Sequence, residues 1–331
     1  MFKPKRQIII FFAIVTVLLI AILVILLDWK EIKRVIGQAN WEFTIVALIF
    51  TVISYGFLSF AFVEITKLFD IRGRALGLME ISYVGTTLDN IMAFGGAAGL
   101  SLRLVLLQRR GIPLNKAITA SIFNSYLVGL IMLCLLSISL IYLLVNKSVH
   151  GGAAIGTGFS VIILVCLFVL ATVIIFSESI RVIVINAITK IVRVIFHRDI
   201  TSNLDSFSNS LSIGAASIYK NPVTLLKPVV PVIAYWLTML IVLWFCFDAL
   251  GDPLKPWVLL TGFSVGISAG NASMIPGGFG VQETSMAGIY ALLGVSFERA
   301  ILAAILFRVI YDFIPFFISL VIYRRILVIS D

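Results

Sequence analysis

Charge is scarce in this chain. Asp, Glu, Lys and Arg together make up 12% of its 331 residues and hydrophobic residues 61%, which excludes an ordinary soluble domain. It has only two histidines, His150 and His197, and no His/Cys/Asp cluster at metal-ligand spacing, so no cofactor or metal is expected. Cys134, Cys166 and Cys246 all fall inside apolar runs, and an odd, buried set argues against a disulfide framework. A phosphate-binding Walker loop and a nucleophile elbow are both missing. Nor is any hydrophilic stretch long enough to fold as a catalytic head. These absences speak against an enzyme. The net charge of +9 is then read as membrane topology rather than as affinity for nucleic acid.

What remains is a series of long apolar runs. Uninterrupted spans fit at residues 8–27, 43–65, 116–145, 153–176, 226–247 and 299–323. The first follows Lys3, Lys5 and Arg6 but is longer than a secretory h-region and lacks a small-x-small cleavage pattern, so an uncleaved span is expected. Residues 75–110 and 256–294 are apolar too, but each is broken by glycines: Phe94-Gly95-Gly96-Ala97-Ala98-Gly99 in one, Pro276-Gly277-Gly278-Phe279-Gly280 in the other. The two breaks match. Gly95-Gly96 precede Gly277-Gly278 by 182 residues, and Gly111, Ala117 and Ala120 precede Gly294, Ala300 and Ala303 by 183. Broken apolar segments at corresponding places in two halves point to the binding site of a transporter built from a repeat.

Lysine and arginine placement decides whether each broken region crosses the bilayer or returns to the side it came from. With both as hairpins and both termini cytoplasmic, 17 of the 25 basic residues lie inside, six outside, and Arg103 and Arg308 within the membrane. With both as single crossings the split becomes 10 inside and 13 outside, against the positive-inside rule. The expected fold is therefore all-α: a polytopic integral membrane protein with about six full spans and two oppositely oriented re-entrant helical hairpins. The single membrane domain, 1–331, holds an inverted repeat with units at 75–145 and 256–323. A cytoplasmic amphipathic connector occupies 178–221, with Arg181, Lys190 and Arg193 in its first part and Ser202-x-x-Asp205 opening its second as a capping box.

Irregular backbone at membrane depth survives only where it is buried in protein or lines a wet cavity, so both breaks should face a central polar cavity. Arg103 follows the first break. It either binds a phosphate headgroup beside free amides of Gly95, Gly96 and Gly99, or pairs with Asp89 or Glu80 to hold the hairpin shut. Asp89 and Asn90 either cap the reversal or contact a headgroup. Near the second break, with Gly277, Gly278 and Gly280, Gln282 and Glu283 either cap a helix N-terminus or take part in coupling and gating. Arg308 and Asp312, four apart, form either a structural pair or a switchable one, and Pro315 frees the carbonyl of Tyr311. Asn271 and Ser273 add polar groups on the incoming half.

The string Ile275-Pro276-Gly277-Gly278-Phe279-Gly280-Val281-Gln282-Glu283, then Gly294-Val295 and Ala300 to Arg308, with Gly95-Gly96 and Arg103 upstream, resembles the flippase-like membrane domain of the lysylphosphatidylglycerol synthase/flippase family. The resemblance covers essentially the whole chain and places the family's motif glutamate at Glu283 and its arginines at Arg103 and Arg308. It implies a translocase of lipids in the plasma membrane, moving an anionic phospholipid or polyprenyl-phosphate lipid between leaflets. Two-part members carry a cytosolic aminoacyl-transfer domain; none is expected here, where Asp331 follows the last span. The expected partners are lipids with anionic phosphate headgroups, a separate lipid-modifying enzyme and further copies of the chain, with no nucleic acid. The rival readings are a membrane-embedded transferase acting on a lipid phosphate and a non-transporting partner of a lipid-modifying enzyme.

Overall fold

The computed structural model describes residues 37, 40–92, 97–146, 148, 150–196, 208–209, 211–212, 218–219 and 221–329, with the backbone alone at 188 and 191–196. The first apolar run (8–27), Gly95, Gly96, Ser202 and Asp205 lie outside the described residues. Every regular element among those described is a helix. In chain order these are α1 (Trp41–Leu68), α2 (Ala75–Met92), α3 (Ala97–Arg109), α4 (Leu114–Val145), α5 (Gly152–Phe176), α6 (Glu178–Phe196), α7 (Val223–Ala249), α8 (Pro256–Ala272), α9 (Val281–Leu292), α10 (Phe297–Arg308) and α11 (Ile314–Ile329). A 3₁₀ turn, Pro276–Gly278, lies between α8 and α9, and a π-helical segment, Val309–Phe313, joins α10 to α11. Five helices are long and apolar enough to cross a membrane: α1, α4, α5, α7 and the continuous Phe297–Val328. The protein is a polytopic, all-α membrane protein.

The short helices form two antiparallel pairs. At 13 residues α3 rises only about 20 Å and at 12 residues α9 about 18 Å, short of the ~30 Å hydrocarbon core. The lone glycines noted in the sequence end both return helices in the same way. Gly111 (φ 75°) and Gly294 (φ 89°) take the left-handed conformation, while Ile112 N–H reaches Leu107 O at 3.2 Å and Val295 N–H reaches Tyr290 O at 3.0 Å. Packing repeats as well. Gly85 faces Arg103 as Gly266 faces Met286, and one turn on the glycine changes sides, with Asp89 facing Gly99 in the first pair and Gly270 facing Gln282 in the second.

The two pairs begin at opposite ends of the bundle. Asn40 N–H donates to Ala249 O at 2.7 Å, and Tyr142, Asp252–Lys255 and Leu293–Arg299 gather at the same end. The α8–α9 pair therefore has its base there. At the other end Lys116 Nζ donates to Asp70 O at 2.9 Å, and Glu80 meets both Arg110 and Arg325, so the α2–α3 pair is rooted at that end. The tips approach each other in the middle, where a Cβ added to Gly277 would lie 3.1 Å from Ile91 O. Around them α1 and α7 run antiparallel as the main core contact, joined by Ser54 Oγ donating to Tyr235 O at 3.1 Å and by Phe43 and Phe50 against Phe245.

The connector is anchored inward through Arg181. Arg181 is buried and donates to Ile175 O at 2.8 Å, to Ser208 Oγ at 3.0 Å and to Ser212 Oγ, so it ties the segment down rather than presenting its charge at the surface.

Pro315 has the local consequence expected of it. The amide of Ile314 reaches back five residues to Val309 O, and the carbonyl of Tyr311 takes the Tyr55 hydroxyl at 3.0 Å. Tyr55 in turn accepts Asn90 Nδ2 at 2.9 Å. Tyr55→Phe leaves that buried carbonyl without its donor and should cost about 1–3 kcal/mol. Thermal unfolding in detergent should show a clear drop for Tyr55→Phe and a smaller one for Tyr83→Phe, whose half-buried hydroxyl serves Pro315 O.

Candidate functional site

Where the two hairpin tips meet, a cavity of about 630 Å³ opens. Its polar wall comes from both repeats: Asp89, Asn90 and Arg103 from the first hairpin, Asn271, Gly277 and Gln282 from the second, with Asp312 and Asn124 between them. Its opposite wall is apolar, formed by Val128, Met132, Leu133 and Leu136 of α4 and Leu164 of α5. A wider groove of about 840 Å³ lies at the Asn40 end, but its charges are surface residues, with Arg299 near Asp252 at 4.0 Å, and it holds none of the intramembrane charged residues. The inner cavity is where the chemistry converges.

Arg103 is 2% exposed and pairs with Asp89 Oδ2 at 3.2 Å; its other predicted partner, Glu80, is engaged elsewhere. Asp89 Oδ1 also accepts the Gly99 amide at 2.6 Å, so Asp89 closes the reversal and neutralises the arginine at once. Arg103 Nε has no hydrogen-bond partner among the described residues. Gly99 thus packs into the hairpin, where a Cβ would strike Gly85 O at 2.0 Å.

The second centre is a buried triad. Arg308 is in ion-pair contact with Glu283 through Nε, donates from Nη1 to Gly277 O at 2.5 Å, and lies 4.6 Å from the centre of the Phe279 ring. Its Nη1 stands 3.9 Å from Asp312 Oδ2, beyond hydrogen-bond reach, and Nη2 has no hydrogen-bond partner among the described residues. Glu283 Oε2 accepts the Gly280 amide at 2.8 Å. Both readings of Glu283, helix cap and charge partner, therefore hold together in one residue. The loop that presents these groups needs glycine: Gly277, Gly278 and Gly280 have φ of 64°, 60° and 80°. Asp312 Oδ1 accepts Asn90 Nδ2 at 3.1 Å, which links the first hairpin to the last helix.

Of the residues selected from sequence, Asp89, Asn90, Arg103, Gly277, Gln282 and Asp312 line the cavity, while Gly99, Gly278, Gly280, Glu283 and Arg308 stand behind it as support. Sequence reasoning passed over Thr86, Asn124 and Ser125, although a lone asparagine inside the apolar run of α4 is itself a signal. It also passed over Gly262, Gly266 and Gly270, whose four-residue spacing marks a close helix contact.

No curated protein matches the chain. A family described as the lysylphosphatidylglycerol synthase TM region matches residues 9–319. With nearly its whole length matched, and with both glycine breaks and the charged residues around them inside the match, this chain belongs to the lysylphosphatidylglycerol synthase transmembrane-region family.

Proposed function

We propose that this protein translocates a lipid with an anionic phosphate headgroup between the leaflets of the plasma membrane. The observation that carries the reading is the two-sided cavity, polar where the hairpin tips meet and apolar toward α4 and α5. Its volume suits a headgroup, within the ~300–1,000 Å³ of small-ligand sites. The apolar wall continues into helices that expose most of their surface to lipid, which gives the tails a route while the headgroup is inside. Arg103 is the substrate contact: it lines the cavity, and its Nε, buried in this state, has no hydrogen-bond partner among the described residues, nor has Arg308 Nη2 just behind. Backbone amides contribute less here, because those of Gly99 and Gly280 serve Asp89 and Glu283.

In this reading the helix pairs α2–α3 and α8–α9 are re-entrant hairpins entering from opposite leaflets. The Asp70 end, where Lys67, Arg72, Arg74, Arg109, Arg110, Arg324 and Arg325 gather, faces the cytoplasm. Rocking one repeat against the other exposes the cavity to each leaflet in turn.

The test is leaflet accessibility in proteoliposomes, with labelled phosphatidylglycerol, lysyl-phosphatidylglycerol and a short polyprenyl phosphate as probes. One of the three should move. The Arg103→Gln/Asp89→Asn variant, which strands no charge, should slow it about 10- to 100-fold, the worth of a charged hydrogen bond of ~1.5–3 kcal/mol. No movement of any probe by folded protein sinks the proposal and favours a transferase or a non-transporting partner.

A further inference from the structure

We propose that Asp312 binds one proton from the cavity, and that this proton decides whether Arg308 holds the Gly277 loop of the second hairpin. Three buried or nearly buried carboxylates, Asp89, Glu283 and Asp312, face two guanidiniums, Arg103 and Arg308, at the cavity. A single uncompensated charge buried at bilayer depth is costly, so one further positive charge completes the site.

The geometry selects the carboxylate. Asp89 uses both oxygens, on Gly99 N–H and Arg103 Nη2. Glu283 accepts Gly280 N–H on Oε2 and holds Oε1 in ion-pair contact with Arg308 Nε, so a cation already faces it. Among the described residues, Asp312 accepts only Asn90 Nδ2, on Oδ1, and none places a donor within hydrogen-bond distance of its Oδ2. Asp312 is also the one acid of the Arg308 triad that lines the cavity, so a proton from cavity water reaches Oδ2 directly.

The groups facing Asp312 respond to its charge in a defined way. Tyr55 from α1 and Tyr235 from α7 are neutral neighbours, Asn90 and Asp89 stand on α2, and Glu283 on α9. Among these groups Arg308 is the one opposite in sign. With Asp312 protonated, Arg308 and Glu283 balance one to one, and Nη1 stays on Gly277 O, as seen here. With Asp312 ionised, the guanidinium is pulled toward Oδ2 across the 3.9 Å gap, which lengthens its bond to Gly277 O and loosens the loop. Use of this proton to drive lipid movement rests on the translocator reading; its binding does not.

Infrared spectroscopy of purified protein in lipid tests the binding without any transport. The wild type at neutral pH should show the carbonyl stretch of a protonated carboxylic acid. The band should shift when aspartate carrying a ¹³C side-chain carboxyl is incorporated, and vanish in Asp312→Asn. It should also vanish in Glu283→Gln, where Asp312 becomes the one counter-charge of Arg308 and ionises. A band absent from wild type, or unmoved by labelled aspartate, overturns the site. Amide hydrogen exchange reads the switch: after correction for intrinsic rates, exchange at residues 277–280 should rise with pH in wild type and stay flat in Asp312→Asn. The same rise in the variant overturns the link to the loop. If infrared and exchange behave as stated while no lipid moves, the proton site stands and the translocator reading falls.

Discussion

Arg308→Met is expected to lose about 3–5 kcal/mol, because it strands the carboxylate of Glu283, 4% exposed, without the cation that touches it. That is a large part of the ~5–15 kcal/mol that holds a typical protein folded, so the variant should accumulate poorly and melt early in detergent. Arg308→Lys should rescue little. An ammonium cannot meet Glu283, donate to Gly277 O and lie flat against Phe279 at the same time, as the guanidinium does. The informative rescue is neutralisation. Arg308→Met combined with Glu283→Gln and Asp312→Asn removes the stranded charge and the acid beside it and should regain most of the lost melting temperature. A single variant that melts with the wild type would mean the triad contributes nothing to the fold. A triple variant as unstable as the single one would place the cost in lost packing instead.

This triad also shows how far the residues could be read in advance. The spacing of Arg308 and Asp312 suggests a pair on one helix face, which assumes an α-helix between them. The π segment Val309–Phe313 widens that turn, and Glu283, in contact from another helix, becomes the closer partner. Arg103 had two candidate partners on one helix, and only the fold separates them. Asp89 sits across the hairpin from it, while Glu80 is held at the base by Arg110 and Arg325, the latter 245 residues away in sequence. Local chemistry was legible, as at Gly111 and Gly294, because a left-handed residue ending a helix depends only on its neighbours. The freed carbonyl of Tyr311 was legible for the same reason. Its donor, Tyr55, was not, because nothing in the sequence near either residue records the other.

The second large effect is expected from a residue with no functional group. Gly262, Gly266 and Gly270 line the face of α8 that meets α9, and a Cβ added to each would stand 2.3 Å from the Tyr290 ring, 2.7 Å from Met286 Cβ and 2.9 Å from Gln282 Cβ. Met286 and Gln282 present Cβ atoms fixed to backbone, so relief requires the helices to part. Tyr290 is held harder still: it is fully buried, its hydroxyl donates to Leu259 O at 2.8 Å, and its ring packs edge-on to Phe247 at 5.0 Å. Gly262→Ala should therefore be the costliest of the three, at the upper part of the ~1–3 kcal/mol typical of overpacking or above it. Gly288, on α9 itself, is the matched control, since a Cβ there meets nothing within 4 Å. Gly288→Ala should be neutral or stabilising, by up to ~1 kcal/mol from helix propensity alone. Melting curves of the four alanine variants in one detergent decide the matter. Gly262→Ala as stable as Gly288→Ala would mean that α8 and α9 are not pressed together as described. The loop carrying Gly277 and Gly280, suspended between those two helices, would then lose the rigid frame on which the placement of Arg308 depends.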